Sequence, residues 1–236
     1  MMHYLIYNGE SSADYDLLVG AQNTFNAPKR SVTKYTIPGR NGDLIKDNGC
    51  FENISVAYTI VCKNRFESLA DSISAWLKSP TSYCRLEDSH HPEYYRMGLV
   101  TDAITYTTGT LNHSAKATVT FDCKPQKWLI EGEQKQTFTA ASTIYNPTKF
   151  TSLPLVRVYG SGAGTVTIAG HLITLKSING YIDLDSELQD CYKDTANLNS
   201  QVVLATGFPQ LKSGTNAVTF TGGVTAVEIT GRWWTI

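Results

Sequence analysis

The sequence predicts a mainly β protein: an amino-terminal β-sandwich-like domain with one α-helix, followed by a second β-sandwich. Three observations lead there. Threonine, tyrosine, valine and glycine are plentiful while Ala-Leu-Glu-Lys blocks are rare, a composition suited to pleated, half-buried strands joined by tight turns. Several segments alternate apolar and polar residues with period two, which places one set of side chains on a core face. One stretch alone carries the three-to-four spacing of an amphipathic helix.

Taken in chain order, Ile54–Cys62 alternates large with small residues and reads as a central strand. Phe66, Leu69, Ile73, Trp76 and Leu77 then form a helical stripe, which places a helix at about residues 65–78. Asn64 is positioned to cap it, Glu67 stands three residues on in the capping-box position, and Pro80 stops it. Ala117–Cys123 returns to strict alternation, a strand with one wet face. A seam follows near residues 125–153, where a polar tract leads to Asn146-Pro147 and Leu153-Pro154. Beyond it, short strands are expected at 155–159, 164–168, 171–176, 181–184, 202–204, 217–220 and 224–230. Glycine punctuates them, the spacing of a sandwich. The expected organisation is a first domain over 1–130, a connecting segment over 131–152 and a second domain over 153–236.

The chain has 236 residues, 42% apolar and 17% charged, with a formal net charge of −1. That is enough to bury an ordinary core. With 20 Lys plus Arg against 21 Asp plus Glu, there is no basic stripe to neutralise a phosphate backbone, so direct nucleic-acid recognition is not expected. Apolar runs fall far short of the roughly 20 residues needed to cross a bilayer as a helix, so no membrane insertion is expected. Met1–Tyr7 lacks the charged and long apolar regions of a secretory signal. The five cysteines are widely spaced with no C-x-x-C pair, and read as reduced, mostly buried thiols.

No catalytic constellation is found. Gly160-Ser161-Gly162-Ala163-Gly164 leads into a strand rather than a helix, so it reads as a turn between strands, not a phosphate cradle. His90-His91 beside Asp88 and Glu93 lacks the spacing of a metal set and reads as a polar turn ending at Pro92. No serine lies in a G-x-S-x-G elbow. Asp183 and Asp185 alternate with Ile182 and Leu184, so they are expected to share the solvent face of one strand. A glycosidase pair or a cation-bridged loop is the alternative there. Tyr94-Tyr95, Trp128 and Trp233-Trp234 are the aromatics that could form a sugar platform, against a core or interface role. No enzyme activity, cofactor or metal is therefore expected.

The run Ile37-Pro38-Gly39-Arg40-Asn41-Gly42-Asp43-Leu44 resembles the signature segment of the distal tail protein (Dit) family of long-tailed phages and prophages of Gram-positive bacteria. Upstream, Ser11–Tyr15 and Ala27-Pro28-Lys29-Arg30 are similar to the family's opening strand and loop. Downstream, Ala75-Trp76-Leu77, Tyr83–Asp88, Tyr94-Tyr95-Arg96 and Phe121–Pro125 continue the resemblance in order. So do Ser152–Leu155, Val158–Gly162, Asp185-Ser186-Glu187 with Tyr192, and Arg232–Ile236. It covers essentially the whole chain.

The resemblance implies a virion structural protein assembled in the bacterial host cytoplasm and located at the tail tip. The first domain would build a homo-oligomeric ring, a hexamer, and the second would be a galectin-like β-sandwich on its periphery. Its partners would be the major tail tube protein above and the tail-associated lysin or baseplate hub below, with receptor-binding components outside in many phages. The alternative is a carbohydrate-binding module on a tail tip recognising host cell-wall glycans. Glycines and a proline around Arg40 and Asp43 suggest a projecting loop or hairpin whose opposite charges pair between neighbouring subunits. Pro38, Gly39, Arg40, Asn41, Gly42 and Asp43 are thus candidate ring-interface residues, against a loop held only by its own turn bonds. Trp76, Trp233 and Trp234 are the expected structural anchors, with the last strand paired and at least one terminal indole buried.

Overall fold

The computed structural model describes residues 3–22 and 25–236. It divides into two compact units, one running to Lys127 and the other spanning Trp128–Thr235. The protein is mainly β, with one α-helix among the described residues.

The first unit contains β1 (Leu5–Tyr7), β2 (Glu10–Ser11), β3 (Leu17–Gln22), β4 (Arg30–Tyr35), β5 (Leu44–Phe51), β6 (Ile54–Cys62), α1 (Phe66–Lys78), β7 (Cys84–Asp88), β8 (Tyr94–Leu99), β9 (Thr107–Thr108) and β10 (Ala115–Cys123). Its main sheet runs β2-β1-β7-β8-β10-β6-β3, with β9 beside β10. The Val19 N–H at the far edge donates to His3 O at 3.3 Å, so the last strand reaches back to the chain just before the first. Alternation decides which faces are buried. The odd positions of β10, from Ala115 to Cys123, are all buried, as are the even positions of β6, from Ile54 to Cys62. They share one core with Leu5, Tyr7 and Leu86.

Helix α1 lays Phe66, Ile73, Trp76 and Leu77 into that core. Burying each contributes roughly 1.5–3 kcal/mol. Trp76 anchors the helix further: its Nε1–H donates to the Tyr7 carbonyl at 3.0 Å, and its ring stacks on Tyr15 at 4.9 Å. The start differs from the sequence expectation. Arg65, not Asn64, is the cap residue, in the left-handed region at φ 58°, and no side chain caps the helix. Asn64 lies one residue before the cap position. Cys62 Sγ holds the Asn64 carbonyl at 3.1 Å, and the Phe66 N–H is taken by His113 O at 3.1 Å. A tertiary contact thus satisfies a donor that a cap would otherwise serve.

The second unit contains β11 (Lys127–Leu129, starting at the boundary), β12 (Lys135–Phe138), β13 (Ser142–Asn146), β14 (Leu155–Ile168), β15 (His171–Asp185), β16 (Asp190–Lys193), β17 (Ala196–Asn197), β18 (Val202–Leu204), β19 (Gly214–Thr230) and β20 (Trp234–Thr235). The pairs of short strands expected at 155–159 and 164–168, at 171–176 and 181–184, and at 217–220 and 224–230 are three long bent strands, β14, β15 and β19. The glycine run 160–164 is therefore no turn between strands; it is the bend inside β14, where pairing with both neighbours shifts register. At Gly160, Gly164 and Gly223 the backbones come too close for a side chain. A Cβ on Gly160 would lie 2.2 Å from Gly223 O, and one on Gly223 would lie 2.0 Å from Ser161 O. Each bent strand contributes to both halves of the sandwich, and a single core joins them. Val156, Val158, Ile182, Leu184, Val227 and Ile229 come from one half; Val166, Ile168, Ile173, Leu175 and Val218 come from the other.

The tract 131–152, expected to connect, is woven into this unit. β12 pairs with Val227–Thr230 and β13 with Gly214–Val218, one on each half of β19. An edge of β19 left bare would expose its backbone groups, and these strands satisfy them. Asn146 locks the following turn from a fully buried position, its Nδ2–H groups donating to Phe150 O at 2.9 Å and Leu211 O at 3.0 Å.

Candidate interaction surface

Arg30–Phe51 forms a ribbon of two strands, β4 and β5, which pair with each other and with no other described strand. Its base is tied by the Glu52 N–H to Lys29 O at 2.8 Å and by Arg30 over the Phe51 ring at 4.8 Å. Away from the base every residue of β5 is exposed. Cross-strand register puts Tyr35 opposite Leu44 and Lys34 opposite Ile45. Successive residues point to opposite faces, so each face of the ribbon carries an uncovered apolar residue: Leu44 is 50% exposed and Ile45 is 59% exposed. A two-stranded ribbon with no covered face is marginal in water.

Pro38, Gly39, Arg40, Asn41, Gly42 and Asp43 form its tip, and all six are exposed. The turn is tight: the Arg40 N–H donates to Ile37 O at 3.2 Å, and Gly39 and Gly42 take φ of 80° and 81°. The Thr36 hydroxyl donates to Asp43 Oδ1 at 2.9 Å, so this carboxylate helps close its own loop. The Arg40 guanidinium faces solvent.

The other places singled out in the sequence have structural occupations. Asp183 and Asp185 are not on a wet face: they are 3% and 2% exposed. Arg157 lies opposite Asp183 in the β14–β15 register and grips it through two bonds of 2.7 Å. Arg232 grips Asp185 through bonds of 2.8 and 2.9 Å. Burial would raise the Asp185 carboxyl, but Arg232 and the N–H groups of Leu188 and Glu187 hold it below its ordinary range. The Asp183 hydrogen bonds raise the Arg157 guanidinium. Two carboxylates each occupied by a guanidinium are structural pairs.

His90 and His91 lie in the turn after β7, where Asp88 Oδ1 accepts both of their N–H groups at 2.8 and 2.9 Å. Among the described residues no group of three or more potential metal ligands comes together. Cys62, Cys123 and Cys191 are buried, whereas Cys50 lies exposed on the ribbon. Burial pushes the Cys123 and Cys191 thiols up to about 12, unsuited to thiolate chemistry.

The aromatics are engaged within the protein. Arg85 sits over Tyr95 at 3.8 Å and Lys127 lies near Tyr94 at 5.6 Å. Trp233 is 2% exposed, its backbone carbonyl accepting from Leu129 N–H at 2.9 Å. Trp234 stacks on Phe150 at 4.4 Å and donates to Thr151 O at 3.0 Å.

Comparison with solved structures decides the fold. The Dit protein (gp 19.1) of phage SPP1, described as a paradigm of the hub adsorption apparatus in phages infecting Gram-positive bacteria, superposes with a TM-score of 0.75. The two chains cover each other completely at 15% identity. The chain has the Dit fold. Chains from the phage P2 baseplate in its activated conformation resemble this Dit fold more distantly. With calcium the TM-score is 0.52 at 11% identity, covering 97% of each chain; with strontium it is 0.50 at 10%, covering 98% of this chain and 99% of that one. No protein-family model matches the sequence, and no curated protein matches it.

Proposed function

We propose that this chain is a structural subunit of a phage tail, assembling as a hexameric ring at the distal end of the tail tube. The ring would join the tube to the baseplate or tail-tip adsorption apparatus, after assembly in the host cytoplasm. Its neighbours would be the major tail tube protein on one side, the tail-associated lysin or baseplate hub on the other, and receptor-binding components at the periphery. The observation that carries this reading is the ribbon β4–β5 on a Dit fold matched over its whole length. A solitary ribbon with apolar residues uncovered on both faces is the kind of element that a neighbouring copy covers.

The tip residues 38–43 supply directional contacts in this reading, with Arg40 of one copy meeting a carboxylate on the next. Light scattering of Arg40→Glu tests that point. The expected outcome is dissociation at concentrations where the native protein is an oligomer, with an unchanged circular dichroism spectrum. An intact oligomer would count against the tip as a ring contact.

A further inference from the structure

The main sheet of the first unit is interrupted at one place. β10 pairs with β8 only at Asp122 and Cys123, and with β9 only at Ala115 and Lys116. Between those points residues 100–106 run past residues 117–121 without pairing. The helix holds them away. Lys78, at the end of α1, gathers the carbonyls of Val100, Thr101 and Asp102 at 3.1, 2.9 and 3.1 Å. Ile104 and Tyr106 then pack into the core, Tyr106 against the Phe66 ring at 4.9 Å. What is left is an open cleft of about 600 Å³, lined by Ala103, Thr105, Thr107, Lys116, Ala117 and Thr118.

Strand parity shows what faces this cleft. The Lys124 N–H donates to Met97 O on the β8 side at 2.9 Å. Backbone groups alternate along a strand, so Thr118 and Thr120 turn their N–H and C=O groups to that same side. Among the described residues neither has a strand partner there. A row of open backbone groups beside a cleft is a template for an added strand.

We propose that this cleft receives an edge of the β4–β5 ribbon from a second copy of the chain, paired as an added strand against Thr118 and Thr120. The inference rests on the ring reading above and names the surface that accepts the ribbon. The occupant follows from two complementary deficits in one molecule. The ribbon pairs with no other described strand and leaves Leu44 and Ile45 uncovered on its two faces, and β10 leaves the backbone groups of Thr118 and Thr120 without a strand partner among the described residues. The five-residue gap spans about 16 Å of strand, and the eight residues of β5 about 26 Å, so the ribbon is long enough. Two different patches on each copy make a head-to-tail contact, the kind that closes into rings.

The test uses the full chain in its assembled form. Hydrogen exchange should slow at the Thr118 and Thr120 amides by at least about 100-fold between dilute monomer and ring. A variant with Cys50→Ser, Ile45→Cys and Thr118→Cys should yield covalent ladders of chains on oxidation. Both introduced cysteines replace outward-facing residues, and a native circular dichroism spectrum confirms folding. Protected amides with cross-linked chains support the proposal. A ring whose Thr118 and Thr120 amides exchange as in the monomer overturns it and leaves the ring reading standing. Failure to form any ring, alone or mixed with the tail tube protein, overturns both.

Discussion

Replacing Arg232 by Met keeps the length of the side chain and removes its charge, which tests whether the Arg232–Asp185 pair holds the second unit together. The Asp185 side chain is 3% exposed and that of Arg232 is 27% exposed. The pair is therefore largely dry on the carboxylate side and partly wet on the other. In Arg232→Met the carboxylate keeps only the Glu187 and Leu188 N–H groups, at 2.9 and 3.1 Å. Breaking a fully buried pair costs about 3–5 kcal/mol; the partly exposed guanidinium brings the expected loss to about 2–4 kcal/mol. The sign with pH follows from the lowered Asp185 carboxyl. Its contribution is present above the unfolded-state pKa of about 3.9 and is lost as pH falls through the lower folded value. Denaturant unfolding of both proteins from pH 7 to pH 3 should show the gap narrowing below about pH 4. The double variant Asp185→Asn/Arg232→Met should lose about 1–3 kcal/mol less than the sum of the singles. A loss below about 0.5 kcal/mol at pH 7, or one that does not change with pH, would refute the reasoning.

Two further perturbations follow from the same packing. Gly223→Ala sets a Cβ 2.0 Å from Ser161 O; because the obstacle is backbone, the strands must separate, and thermal unfolding should show a cost of about 2–4 kcal/mol, with Gly20→Ala, whose Cβ would meet nothing closer than 3.9 Å, costing clearly less. Trp233→Ala should cost roughly 3–5 kcal/mol by denaturant titration, since the ring is buried where a Cβ on Gly231 would come within 2.3 Å of it; a change under about 1 kcal/mol would contradict its anchoring role.

The alternation of Ile54–Cys62 and Ala117–Cys123, and the stripe from Phe66 to Leu77, were legible because each element buries a face whose period shows in the sequence. Glycine was the misleading signal. Gly160–Gly164 and Gly222-Gly223 look like punctuation between short strands, yet they permit two backbones to touch at a bend in continuous ones. The acidic strand 181–185 shows a second limit. Alternation with Ile182 and Leu184 suggests a solvent face for Asp183 and Asp185, yet both are buried: only cross-strand register reveals that Arg157 lies over Asp183, and only the fold brings Arg232 to Asp185. The exposed tip at 38–43 could be read from its glycines and proline. The open edge of β10 could not, because it depends on the mismatch between residues 100–106 and their partners, which no residue type announces.

Negative-stain microscopy of the purified full-length protein tests the central claim most directly. Rings of identical subunits around a central channel are expected. A protein that stays monomeric alone and when mixed with its tail tube protein would contradict the account.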